Sequence, residues 1–307
     1  MKLLITGVSG FIGRSLVKYI VDNELPIDIY GIDIKIPEFE DFTYRNRVKF
    51  SYLDIRNSVC LNDYFTKFKF DGVIHLAAVS RVAEAENRKE DCVGINLRGT
   101  KYIVDNLKNT KTWLIYASSR EVYGEPEVLP VKETDSKIPV NIYGKCKLES
   151  ENYIKDNLNR YVIFRFSNVY GNNFDLKDRV IPLFLRKAMN DEPLVIEGGE
   201  QVIDFTYIDD TVKSILKAAE LLHIGAIDND TIHLSPGRGN TLKTLITHIE
   251  LLLDKNTNTI IKEKRDYDVV KFIGDPQHRI EVLGDMKFKS LYEGLEIYVE
   301  NLKASSN

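Results

Sequence analysis

Three observations predict an α/β fold, a doubly wound parallel sheet with a smaller interleaved C-terminal lobe. Short apolar runs alternate with amphipathic stretches through about residue 165. A glycine-rich turn follows the first of those runs directly. After residue 165 the alternation stops. Alternation of that kind argues a parallel sheet with helices on both faces.

The elements follow in order. Strands are predicted at 2–6, 27–33, 47–53, 71–76, 111–117 and 160–165, with helices between them that include 87–109 and 143–158. The segment 166–182 is polar and irregular. Residues 194–199 and 201–205 read as a strand, a turn and a return. Asp209 or Asp210 is the predicted N-cap of a helix running to about His223. Further helices are predicted at 241–254 and 290–303. The expected division is a nucleotide-binding domain over 1–165, with a segment around 200–235 returning to it. A substrate lobe over 166–307 should lie across the C-terminal ends of the strands.

Composition narrows the classes. The 307 residues are 43% hydrophobic with net charge −4, enough for a substantial core in a soluble chain. Mixed charge and mild acidity give no support for nucleic-acid binding. The longest apolar runs are too short for a membrane span, and the chain opens on a strand rather than a signal peptide, so a cytoplasmic protein is expected. Cys60, Cys92 and Cys146 are odd in number and lack metal-type spacing, and the five histidines are scattered, so no metal is predicted. Cys146 reads as a small packing residue.

Two motifs carry chemistry. Lys2–Thr6 leads into Gly7-Val8-Ser9-Gly10-Phe11-Ile12-Gly13, which opens a helix with an apolar stripe of Phe11, Ile12, Leu16, Val17 and Ile20. The first glycine permits a tight turn, the second lets backbone approach a pyrophosphate, and the third allows close helix–strand packing. Asp33 ends the next strand, about 20 residues on, where a carboxylate accepts bonds from ribose hydroxyls and repels a 2′-phosphate; NAD rather than NADP is expected. Lys35 and Arg14 lie close by and temper that preference.

The second motif is Tyr143 and Lys147, four residues apart and therefore on one helical face. An ammonium beside a phenol favours the phenolate and makes it a usable general base for an alcohol. Ser118 and Ser119 directly follow the predicted strand 111–117, whose C-terminal end should face the same crevice, where a serine hydroxyl can bond a substrate oxygen and share its proton with Tyr143.

Taken with Asp54-Ile55, His75-Leu76-Ala77-Ala78, Asn96 and Arg165-Phe166-Ser167-Asn168-Val169-Tyr170-Gly171, these motifs resemble the extended short-chain dehydrogenase/reductases of the NAD-dependent epimerase/dehydratase family, which act on nucleotide sugars over a Rossmann fold. The resemblance implies that Asp54 and Ile55 edge the adenine and that Leu76, Ala77, Ala78 and Asn96 line the cofactor channel. It implies that Lys147 holds the nicotinamide ribose. Tyr143 would take the proton from the sugar 4-hydroxyl, with Ser119 on the same oxygen. Ser80, Asn168 and Arg265 would contact the substrate, Arg265 gripping its diphosphate. It also implies a homodimer through the helices near 87–109 and 143–158.

Two positions depart from the family pattern. Ile203 stands where a second phosphate-binding arginine is common, and Arg179, Arg186 or Arg81 could replace it. Glu121 matches the dehydratase base, yet its neighbour is Arg120 and not the aspartate of the dTDP-glucose-type dehydratases; Glu121 is either catalytic or paired with a cation. The expectation is an NAD-dependent nucleotide-sugar 4-epimerase. A 4,6-dehydratase, a 4-dehydrogenase and, from a different class, a non-catalytic NAD-binding redox sensor are the alternatives. Neither nucleotide nor hexose is legible.

Overall fold

The structure is a computed structural model that describes residues 1–39, 41–263 and 269–305. Arg265 lies outside the described residues. Contacts group the chain into two units: Met1–Gly124, Lys137–Arg165 and Val212–Ile232 form the first, and Glu125–Ser136, Phe166–Thr211 and His233–Asn307 the second.

The first unit is built on a seven-stranded sheet of order β10-β6-β5-β4-β1-β2-β3. In chain order its strands are β1 (Lys2–Thr6), β2 (Asp28–Asp33), β3 (Val48–Tyr52), β4 (Gly72–His75), β5 (Trp113–Ser119) and β6 (Tyr161–Phe166), with β10 (Asp230–Leu234) on the far edge. β1 pairs in parallel with β2 and β4, β2 with β3, and β4 with β5. Every residue of β5 and β6 is buried, as expected for strands covered on both faces. The strand order reverses between β1 and β4, so the crevice at their C-terminal ends is where such sheets take ligands.

Helix α1 (Phe11–Asp22) packs Leu16, Val17 and Ile20 with no exposure at all; burying each contributes about 1.5–3 kcal/mol. Helix α7 (Ile142–Asn157) starts where the Asn141 side chain accepts from the Gly144 N–H at 2.8 Å, which satisfies an otherwise unpaired first-turn amide.

The predicted helix over 87–109 is helical without a break from Lys89 to Leu107, as α5 (Lys89–Cys92), a π-helical stretch over Val93–Gly99 and α6 (Thr100–Leu107); Arg88 separates it from α4 (Val82–Asn87). The wide turn carries Asn96, whose side chain holds the Val79 backbone.

The second unit contains a three-stranded sheet, β11-β9-β7, and a two-stranded one, β12-β8. Its strands are β7 (Asn168–Tyr170), β8 (Leu194–Glu197), β9 (Val202–Tyr207), β11 (Gly239–Thr241) and β12 (Thr259–Lys262). The two strands and the turn predicted over 194–205 are present, but the strands do not pair with each other. β8 pairs with β12, and β9 pairs with β11 and β7. Between them Gly198 and Gly199 take φ of +88° and +104°, and the Gln201 side chain accepts from Gly199 N–H and donates to the Glu197 carbonyl. That side chain takes the polar groups a hairpin ladder would have used.

Neither Asp209 nor Asp210 is an N-cap. The helix α9 (Ile208–Ile224) starts before them, which puts both carboxylates in its first turn, where they favour the helix dipole. Asp210 also accepts from the Lys289 N–H at 2.8 Å.

Candidate active site

The glycine turn is packed to contact. Gly7 takes φ +71°, and a Cβ there would lie 2.7 Å from the Ala77 nitrogen. A Cβ on Gly13 would lie 2.5 Å from the Gly7 oxygen. Gly10, the N-cap of α1, has no side chain to bond the first-turn amides of Phe11, Ile12 and Gly13. That leaves them as donors for a pyrophosphate.

Asp33, at the end of β2, accepts from the Ser9 N–H at 3.0 Å on one oxygen and from the Lys35 N–H at 3.1 Å on the other. The carboxylate is thereby fixed across from the turn with lone pairs to spare for a diol. Arg14 donates to the Glu38 carbonyl at 3.1 Å. These residues fit a dinucleotide.

Other predicted cofactor residues have partners within the chain. The Arg56 guanidinium grips Asp54 at 2.6–3.1 Å and holds its carboxyl below the ordinary range. Ile55 is buried against Gly99. Asn96 is fully buried; its oxygen accepts from Val79 N–H at 2.8 Å and its NH₂ donates to Val79 O at 2.9 Å. It therefore shapes the Leu76–Val79 loop. Ser80 follows that loop and is exposed.

Tyr143 and Lys147 lie on the first turns of α7 and are buried at 8% and 3% exposure. The Lys147 Nζ donates to the Ala117 carbonyl at 2.7 Å and sits 5.7 Å from the Tyr143 ring centre. Burial pushes its pKa down to about 8, against the opposing pull of Cys92, Cys146 and Glu151. The two side chains lie four residues apart on one face of α7.

Ser119 ends β5 and its Oγ accepts from the Glu121 N–H at 3.2 Å. Glu121 is buried with both oxygens engaged. Arg120 Nη2 lies 3.2 Å from Oε1, and Asn141 Nδ2 donates to Oε2 at 2.8 Å. Cys146 is buried, and its bond with Cys92 and its burial hold the thiol well above the ordinary range, so it packs.

Three groups beneath the site were not singled out by sequence reasoning. Glu151, one turn past Lys147, forms a fully buried bidentate pair with Arg165 at 2.6 and 3.0 Å and accepts from Ser118 Oγ at 2.5 Å. Its position four residues past Lys147 was the available signal, as was an asparagine just before α7 for Asn141. His75 was visible only as part of a motif.

Asn168 and Arg179 belong to the second unit. Asn168 opens β7, and Arg179 pairs with the buried Asp175 at 3.3 Å. Among the described residues no cluster of His, Cys, Asp or Glu is suited to a metal, and no helix is long and apolar enough to cross a membrane.

A glycine turn, an acid ending the second strand, and a serine, tyrosine and lysine at the crevice define an α/β dinucleotide enzyme of the short-chain dehydrogenase/reductase type. Residues 3–228 match the NAD dependent epimerase/dehydratase family, and the chain belongs to it. The chain is similar to dTDP-4-dehydro-6-deoxyglucose reductase of Escherichia coli, 30% identical over 98% of this chain and 97% of that protein. It is similar as well to a putative UDP-glucose 4-epimerase of Methanocaldococcus jannaschii, 29% identical over 98% of each. Among solved structures, UDP-glucose 4-epimerase of Thermotoga maritima with UDP-glucose superposes with a TM-score of 0.90 at 28% identity, covering 100% of both chains. UDP-glucuronic acid 4-epimerase of Bacillus cereus, in complex with UDP-glucuronic acid and NAD, gives 0.85 at 27%, over 99% of this chain and 100% of that one.

Proposed function

We propose that the protein is a nucleotide-sugar 4-epimerase that oxidises a hexose at C4 and reduces it again on the other face. The observation that carries this reading is the engagement of Glu121. With one oxygen on Arg120 and the other on Asn141, the N-cap of α7, the carboxylate helps to hold the start of that helix. A 4,6-dehydratase needs a base for the C5 proton, and a 4-epimerase needs only one acid/base group.

NAD supplies, when bound, the hydride acceptor and donor at C4. Gly7, Gly10, Phe11, Ile12, Gly13 and Asp33 would hold its phosphates and ribose, with the loop at Leu76, Ala77 and Ala78 beside them. The Tyr143 phenolate takes the proton from the sugar 4-hydroxyl as the C4–H bond breaks. Lys147 holds that phenolate by its charge, anchored through Ala117. The Ser119 hydroxyl bonds the same sugar oxygen and keeps it within reach of Tyr143. After the 4-keto sugar turns its other face, Tyr143 returns the proton to O4. Asn168 and Arg179 are the second unit's candidates for the substrate, with Arg265 a further one. We read the molecule as a homodimer through α4–α6 and α7, which sedimentation would test.

Turnover in D₂O tests the assignment. Epimerised product with no deuterium at C5 is expected; deuterium at C5 would make Glu121 a base and overturn the reading.

A second reading is favoured by the 30% identity to the Escherichia coli reductase. Used in one direction only, the same Tyr143 would protonate O4 of a 4-keto sugar while hydride is delivered to C4.

A further inference from the structure

We propose that His75 is a positioning residue, the centre of one directed hydrogen-bond chain that fixes the loop after β4 to the helix carrying Tyr143 and Lys147. The inference rests on the NAD site proposed above.

The proton positions follow from the partners. Thr100 Oγ1 donates its only proton to the Asn96 carbonyl at 2.7 Å. The His75 Nε2 at 2.9 Å from Thr100 Oγ1 must therefore be the donor in that contact. A neutral imidazole with Nε2–H leaves Nδ1 as an acceptor, and Thr6 Oγ1 lies 2.6 Å from it. Thr6 Oγ1 in turn accepts from the Ala77 N–H at 3.2 Å. Every proton has one direction, from Ala77 through Thr6, His75 and Thr100 to the Asn96 carbonyl.

That carbonyl also accepts from Ser150 Oγ at 2.9 Å, and Ser150 lies three residues past Lys147 on α7. The Asn96 side chain meanwhile clamps both backbone groups of Val79. The loop is thus held at Ala77 through Thr6 and at Val79 through Asn96, and both holds meet on the π-helical turn that Ser150 ties to α7. His75, Asn96, Thr6, Thr100 and Ser150 are each at most 1% exposed, so no bulk water competes for these bonds. Burial also keeps the imidazole neutral, its pKa pushed down to about 3. A charged ring would donate from both nitrogens, which would make Thr6 Oγ1 a double acceptor and take away the His75 acceptor for its own proton. Cofactor affinity and the placement of Tyr143 are coupled through these five side chains.

Two measurements test this without any sugar substrate. In the wild-type protein, ¹⁵N-resolved imidazole spectra should show His75 as the Nε2–H tautomer, unchanged between about pH 5 and 9. In Thr100→Val, which keeps the shape but removes the link, NAD affinity should fall on the order of tenfold, and Thr100→Ser should restore it. A merely structural role would lower the melting temperature of Thr100→Val and leave NAD affinity of the folded protein unchanged. An Nδ1–H tautomer, a His75 titration near the ordinary value of about 6.5, or NAD binding by folded Thr100→Val within about twofold of wild type would each overturn the proposal. Should Thr100→Val fail to fold, the wild-type tautomer decides.

Discussion

The Lys147 ammonium is bonded to the Ala117 carbonyl at 2.7 Å, so the helix that carries Tyr143 is tied to the strand that ends in Ser119. The bond fixes where the charge sits, and burial brings the proton affinity of Lys147 down to about 8. The two facts together make the site's pH behaviour predictable.

Activity and stability should move in opposite directions on the alkaline side. Above about pH 8 the native Lys147 releases its proton, the phenolate loses its counter-charge, and turnover falls. The unfolded chain keeps that proton up to the ordinary value of 10.5, so it binds more protons than the native state over this interval, and stability rises with pH. Initial rates and melting temperatures across the interval, in wild type and Lys147→Met, check both slopes. The Lys147 contribution to each slope should be lost in the variant.

Tyr143→Phe removes the group proposed to move the O4 proton. Turnover should drop by about 10²–10⁴-fold, the range for loss of a general acid–base, with NAD affinity within about threefold of wild type. Stopped assays and cofactor titration on the same preparation separate the two.

Glu121→Gln keeps an acceptor for Asn141 and loses the charge facing Arg120. If the carboxylate only holds the start of α7, turnover should fall by less than about tenfold; a base would cost about 10²–10⁴-fold. Asn141→Ala should do more harm. It removes both the cap on Gly144 and the partner of Glu121, costing about 1 kcal/mol of stability for the cap alone.

Glu151→Ala leaves the fully buried Arg165 charge without its partner. The expected loss is about 3–5 kcal/mol in denaturant unfolding. Ser118→Ala removes one bond to the same carboxylate and should cost about 1.5–3 kcal/mol.

The parts of the site written in local chain geometry were legible in the sequence. A glycine turn after a first strand, an acid ending the second strand, and Tyr143 and Lys147 one turn apart each need only neighbours in the chain. What depends on distant partners was not. Nothing near Asn96 announces that its side chain will hold Val79. Nothing near Glu197 says that β8 will pair with β12 some 60 residues away rather than with β9. The acids Asp209 and Asp210 suit a cap and a first turn alike, and only the start of α9 at Ile208 separates the two. The insertion of Glu125–Ser136 into the second unit carried no compositional break.

The central claim is the outcome at C4. Purified protein with NAD should be incubated with a panel of nucleotide hexoses, and the product followed by mass and by proton NMR. An unchanged mass with an inverted C4 proton coupling is the predicted result; loss of a water mass would contradict it and give Glu121 the role of a base.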